Sequence, residues 1–193
     1  MLDPNKLKGS LNRNRRYVIG IDGLSRSGKT TFVEKVKAIL EKKQIDCTII
    51  HLDHHIVEKH ERYQTGMDSW VEYYHLQWDV ERLRDALFRE LATASSLTLP
   101  FYYYAKDECR DEEIRLPSEG VIVVEGVFLQ REEWRAYLDH VYFLDCPRET
   151  RFNRESEHTQ ANINKFQERY WKAEDYYMNK VHPLSKADHV LLT

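Results

Sequence analysis

The sequence predicts an α/β fold in which a parallel β-sheet is sandwiched by helices. Three observations carry this. Short apolar, β-branched runs alternate with segments of helical spacing along most of the chain, the order that parallel strands and their crossover helices require. One of those runs, Val121-Ile-Val-Val124, is continuously apolar, as a strand buried on both faces must be. Finally, Gly23-Leu-Ser-Arg-Ser-Gly-Lys-Thr30 fits G-x-x-x-x-G-K-[ST] at every position, between a strand-like and a helix-like segment.

The elements follow in order. Tyr17–Asp22 is the first strand, and Lys29–Lys42 has the spacing of a helix. Asp46–Leu52 reads as a second strand, short and β-branched. Residues 69–94 are mostly helical, with Leu83, Leu87 and Leu91 on one face. Thr98–Tyr104 is extended, and Glu112–Leu116 is placed to pair back with it as a hairpin. Val121–Gly126 and Val141–Asp145 are buried strands separated by a short helix, Glu132–Leu138. Pro147, at an expected first helical position, opens a helix through Arg154; a further helix covers Phe166–Met178, and His189–Leu192 is a last strand. We expect one domain over 1–193, with a polar lead-in at about 1–15, a hairpin insert at about 97–117 and a lid at about 147–165.

Bulk composition narrows the class. Charged residues make up 32% and hydrophobic ones 41%, a globular profile, and the net charge of −3 gives no electrostatic argument for nucleic acid or an anionic membrane. No apolar run approaches the roughly 20 residues of a membrane span. The stretch Met1–Arg16 is polar and lacks an apolar signal core, and its Arg13, Arg15 and Arg16 read as a solvated basic lead-in. Cys47, Cys109 and Cys146 are odd in number and lack metal-ligand spacing, so reduced thiols and a cytoplasmic location are expected.

The chemistry starts at the glycine-rich loop. Backbone N–H groups of Gly23, Leu24, Ser25, Arg26, Ser27, Gly28, Lys29, Thr30 and Thr31 are expected to wrap nucleotide phosphates, helped by the helix N-terminus. Lys29 reaches the β- and γ-phosphates, and the Thr30 hydroxyl ligands Mg²⁺. Phosphoryl transfer further needs a carboxylate at the acceptor hydroxyl and cations for the moving charge. Asp53, just past the second strand, is the expected base and lies near the metal; Glu125, closing a buried strand, is a second metal carboxylate. Arg148, Arg151 and Arg154 recur at helical spacing and suit phosphate oxygens, unless they form a solvated face paired with Glu149, Glu155 and Glu157. His51, His54 and His55 around Asp53 suggest a zinc or manganese site, and Asp-His-His is similar to one family of metal phosphoesterases; contact with the acceptor is the simpler use. The aromatic stripe Trp70, Tyr73, Tyr74 and Trp78 is mainly core, whereas Tyr102 and Tyr104 are the better pocket candidates.

Together these residues resemble the uridine kinase/phosphoribulokinase family, and most closely its uridine kinase branch. The order of the loop, Asp53, His75…Trp78-Asp79, Pro100-Phe-Tyr102, Val124-Glu-Gly126, Asp145…Thr150-Arg-Phe-Asn-Arg154 and Pro183…Ala187-Asp188…Val190 matches over nearly the whole chain. The resemblance implies a three-layer P-loop fold with sheet order 2-3-1-4-5. It implies ATP, with GTP as the alternative, and Mg²⁺. The reaction implied is transfer of the γ-phosphoryl to a small-molecule hydroxyl, a uridine- or cytidine-like nucleoside, and dimers or tetramers are compatible with the family. Asp53 is then the base, Glu125 the metal carboxylate, Arg151 and Arg154 the lid cations, and Asp79, Tyr102, Tyr104 and Arg110 the acceptor side. The chain departs from the pattern at Asp53-His-His-Ile56, where Asp-x-Phe-Tyr is usual, and at Asp107, where the pyrimidine-reading His is expected. Other acceptors therefore stay open: nicotinamide riboside, pantothenate, or a sugar phosphate held by Lys106 and Arg110. So does a nucleotide-binding switch without phosphotransfer, although no Asn-Lys-x-Asp motif supports one.

Overall fold

The computed structural model describes residues 15–193 and contains the strands β1 (Tyr17–Gly23), β2 (Cys47–His51), β3 (Ser96–Tyr103), β4 (Glu108–Arg115), β5 (Val121–Gly126), β6 (His140–Asp145) and β7 (His189–Leu192). Five of them form one all-parallel sheet in the order β2-β5-β1-β6-β7. Counted among sheet strands alone this is 2-3-1-4-5, the expected order. β3 and β4 pair antiparallel as a separate hairpin, Phe101 opposite Arg110 and Tyr102 opposite Cys109.

Side-chain alternation builds the layers. Ile19, Ile21, Val121, Val123 and Leu144 face helix α1 (Lys29–Lys42), which buries Val33, Val36 and Leu40 against them. Each such side chain contributes roughly 1.5–3 kcal/mol when fully buried. The neighbouring positions Val18, Ile50, Ile122, Val124 and Phe143 face the opposite way, into a larger core with Trp78, Leu87, Trp134 and Tyr177. That second layer comes from α2 (Ser69–His75), the helical stretch through Leu83 and Phe88, and the C-terminal helix α4 (Lys172–Val181); α3 (Arg148–Asn153), after β6, buries Arg151. Phe88 and Trp134 stack there at 4.9 Å between centroids. Leading into α4, Phe166–Trp171 is a widened helical turn, a feature that often sits beside functional sites.

Two expectations are corrected here. The basic lead-in falls mostly outside the described residues, but its end is not solvated. Arg16 is buried and donates to the carbonyls of Leu91, Pro117 and Ala94, whose oxygens end helical or strand-flanking segments and need donors. Arg15 pairs with Asp139. Pro147 does not occupy the first helical position: it is the cap residue before α3, with extended backbone. Among the described residues no helix is long and apolar enough to cross a membrane.

Candidate active site

The carboxyl ends of β1, β2 and β5 meet at one cavity of about 940 Å³. At its floor the chain turns from β1 into α1. Gly23 and Gly28 take positive φ (151° and 92°), and a Cβ on Gly23 would lie 2.6 Å from Ser27 Oγ and 2.8 Å from the Leu144 carbonyl. Only glycine fits there. Gly28 caps α1 without a side-chain hydrogen bond, which leaves the first N–H groups of a 14-residue helix for an anion. Beneath the loop Asp22 is fully buried and accepts from the Gly23 amide (2.8 Å), Gln130 Nε2 (3.0 Å) and Tyr177 Oη. Burial pushes this carboxyl up, against those hydrogen bonds.

Lys29 is buried and donates to the Leu24 carbonyl at 3.1 Å. Burial lowers its pKa, and Glu125 and Asp53 oppose that shift. Glu125 accepts from, or pairs with, His51 Nδ1 at 2.6 Å, which holds His51 above its ordinary pKa. Desolvation in the cleft pushes the Asp53 carboxyl up, Lys29 pulls it down and Glu125 adds to the rise. A carboxylate raised toward neutrality is better poised to take a proton. The Thr30 hydroxyl with two carboxylates is an all-oxygen donor set, which suits Mg²⁺. The Lys29 ammonium and the loop amides suit phosphates.

The basic residues after β6 behave differently from a solvated face. Arg151 is buried, forks onto both oxygens of Glu174 (2.8 and 3.0 Å), and donates to the carbonyls of Ser25 (3.0 Å) and Cys146 (3.1 Å). It braces the loop from below, and its partner is Glu174, not the acids of its own helix. Arg154 is exposed and donates to the Arg26 carbonyl at 2.9 Å, while Arg26 pairs with Glu155. Arg148 pairs with Asp175 and does not line the cavity.

The structure brings some of the expected residues together and separates others. Ser25 to Thr31, Asp53, Glu125, Arg151, Arg154 and Tyr104 all line the cavity; Gly23 and Leu24 support the loop. Tyr104 lies just beyond β3 and donates from its hydroxyl to the Asp53 carbonyl at 3.0 Å. Asp79, Tyr102 and Arg110 are not among the lining residues. Asp79 caps the helix Val80–Leu83, accepting from the Arg82 amide at 3.0 Å. Tyr102 is buried, donating to Asp107 (2.8 Å) and accepting from Arg62 (3.1 Å). Arg110 is spent on Glu108 and on the Tyr103 ring. The three histidines diverge. His51 turns to Glu125, His54 leans on the Phe101 ring at 5.0 Å, and His55 is buried against the Pro100 carbonyl at 2.8 Å. They do not converge as ligands of one ion.

Several lining residues carried no sequence signal: Arg62, Gln77, Val127, Phe166, Tyr170 and Glu174. They belong to no motif, and each reaches the cavity from a helix or turn whose docking is set by the core.

Residues 18–190 match the profile of the Phosphoribulokinase / Uridine kinase family. A uridine kinase of Borrelia duttonii is 29% identical over 146 residues, 72% of this chain and 66% of that protein. One of Lactococcus lactis subsp. cremoris is 28% identical over 145 residues, covering 72% and 67%. The chain thus spans just under two thirds of the first relative's length. A solved structure from Bacillus stearothermophilus, described as a possible uridine kinase, superposes with a TM-score of 0.84 at 45% identity, covering 96% of this chain and 94% of that one.

Proposed function

The chain belongs to the phosphoribulokinase/uridine kinase family, and we propose that it moves the γ-phosphoryl group of ATP, with Mg²⁺, onto a hydroxyl of a small metabolite. The observation that supports this most is the meeting of the phosphate loop, Lys29, Asp53 and Glu125 at one cavity. In this reading the loop amides and Lys29 hold the β- and γ-phosphates. Thr30, Glu125 and Asp53 would hold Mg²⁺, which when bound neutralises charge on the phosphates. Asp53 orients the acceptor hydroxyl and takes its proton. Arg154, exposed over the loop, is free to swing from the Arg26 carbonyl to phosphate oxygens. Arg151 acts through the loop that it braces.

Uridine and cytidine are the first acceptors to test, because the similar curated proteins are uridine kinases. A second reading, an acceptor that carries its own negative charge, is favoured by Arg62 in the cavity wall. The test is a screen of nucleosides, vitamins and sugar phosphates with MgATP, followed by ADP release and product mass, with Lys29→Ala and Asp53→Asn as controls. Phosphorylation of one acceptor that both variants lose supports the reading. Nucleotide binding without turnover of any acceptor overturns it in favour of a nucleotide-binding switch.

A further inference from the structure

Five arginines are buried among the described residues: Arg16, Arg62, Arg131, Arg151 and Arg169. A guanidinium out of water needs compensation, most strongly from a carboxylate. Arg151 has Glu174 and Arg169 has Glu72. Arg16 has three carbonyls. Arg131 has the Tyr74 carbonyl and the rings of Tyr74 and Trp134 at 4.6 Å, away from the cavity.

Arg62, like Arg131, has no carboxylate partner, but unlike Arg131 it faces the cavity. It is 5% exposed and lines the cavity beside Asp53 and Tyr104. Its Nε donates to the Val57 carbonyl at 2.8 Å and its Nη2 to the Tyr102 hydroxyl at 3.1 Å. Among the described residues no carboxylate forms an ion pair with it. Asp107 feels its charge but bonds to it only through the Tyr102 hydroxyl, and also accepts from the Lys59 amide. Nη1 donates to no acceptor among the described residues, and the guanidinium lies over the Tyr63 and Tyr102 rings at 5.0 and 5.3 Å. Gln77 is tied to the same segment: the Val57 amide donates to the Gln77 backbone carbonyl at 3.1 Å, while the Val57 carbonyl accepts from Arg62. Gln77 also lines the cavity, and its side-chain Oε1 is buried without a hydrogen-bond donor. The cavity therefore offers a guanidinium with no carboxylate partner among the described residues and an unsatisfied acceptor, on segments tied through Val57.

We infer that the acceptor end of the cavity is built for a small hydroxylated anion, a phosphate ester or a carboxylate, whose charge pairs with Arg62 while one of its hydroxyls donates to Gln77 Oε1. Such a ligand satisfies both groups at once. A neutral polyol leaves the guanidinium without a counter-charge. The inference concerns the acceptor of the phosphotransfer reading above.

The test is calorimetry on the protein loaded with Mg²⁺ and a non-hydrolysable ATP analogue, so that the phosphate loop is already filled. Two matched pairs are titrated, ribose 5-phosphate against ribose and glycerate against glycerol. One anion is expected to bind at least about tenfold tighter than its neutral partner, and which pair does so separates phosphate from carboxylate. Arg62→Gln is expected to lose about 10- to 150-fold of that affinity, and Arg62→Lys less, the range of a hydrogen bond to a charged group. Equal binding of anion and neutral partner by the wild type, no binding of either anion, or undiminished anion binding by Arg62→Gln overturns the inference. If Arg62→Gln fails to bind the ATP analogue, the wild-type ratio and Arg62→Lys decide. Replacing the analogue with ATP separates the two readings. Arg62-dependent anion binding without any product leaves this inference standing and defeats the kinase reading. Phosphorylation of uridine with no anion preference does the reverse.

Discussion

The two ends of the cavity are built on different principles. The nucleotide end is nearly contiguous: residues 23–31 fold into the cradle, with positive φ at Gly23 and Gly28 and the start of α1 supplying amides. The acceptor end has no such unit. Asp53 comes from the turn after β2, Arg62 and Gln77 from separate segments tied by Val57, Tyr104 from the hairpin tip and Tyr170 from the widened turn before α4. A local backbone shape recognises a phosphate whichever acceptor is used. A surface assembled from five segments changes chemistry whenever one side chain does.

The largest expected effect tests whether the halves separate as this contrast says. Lys29→Ala should lower phosphotransfer by about 10²–10³-fold and weaken ATP binding, the cost of removing one preorganised charge-stabilising donor. Asp53→Asn should lower turnover by about 10²–10⁴-fold with ATP affinity kept. Equilibrium ATP binding beside steady-state kinetics checks both. If Asp53→Asn loses ATP as well, the two ends are not separable.

Next is the brace under the loop. Glu174→Ala leaves Arg151 buried without its carboxylate, and denaturant unfolding should show a loss of about 3–5 kcal/mol. The Ser25 carbonyl loses a firmly held donor, so ATP affinity should fall too. A loss under about 1 kcal/mol would mean that water reaches the pair despite its burial.

A smaller effect sharpens the boundary of the acceptor end. Asp79→Ala removes a helix cap and should cost about 0.5–2 kcal/mol of stability. Because Asp79 is not among the cavity-lining residues, the acceptor KM should not change. A tenfold rise in KM, on the scale of about 1.4 kcal/mol, would move Asp79 into the site.

The smallest expected effect concerns the hairpin tip. The Lys59 amide and the Tyr102 hydroxyl hold the Asp107 carboxyl below its ordinary 3.8. A depressed carboxyl contributes stability above that value and loses it as pH falls through the folded pKa. Asp107→Asn should therefore lower the unfolding midpoint slightly at neutral pH, with the deficit closing below about pH 4 so that the acid limb is flatter. An unchanged acid limb would mean that Asp107 is not a fixed backing for Tyr102 and Arg62.

The strands and the phosphate loop were legible because each is encoded locally, whereas the strand order was implied by the family resemblance. Apolar alternation and continuous apolar runs mark the sheet, and the loop needs glycine at fixed offsets. The placement of Asp53 and Glu125 at the cavity was legible because ligands on a parallel sheet sit at its carboxyl edge, and Asp53 lies just past β2 while Glu125 lies at the end of β5. The sequence alone determined this protein's fold class, its family and the glycine-rich loop between β1 and α1. Only the tertiary structure decided that Arg151 turns inward to Glu174, that Arg16 is buried, that Tyr102 backs Arg62, and that Arg62 and Gln77 line one cavity. The reason is physical. A loop's shape follows from backbone freedom that each residue carries with it. The partner of a buried charge, by contrast, is fixed by which distant segments the core packs together, and residues 62 and 102 or 151 and 174 carry no mark of one another along the chain.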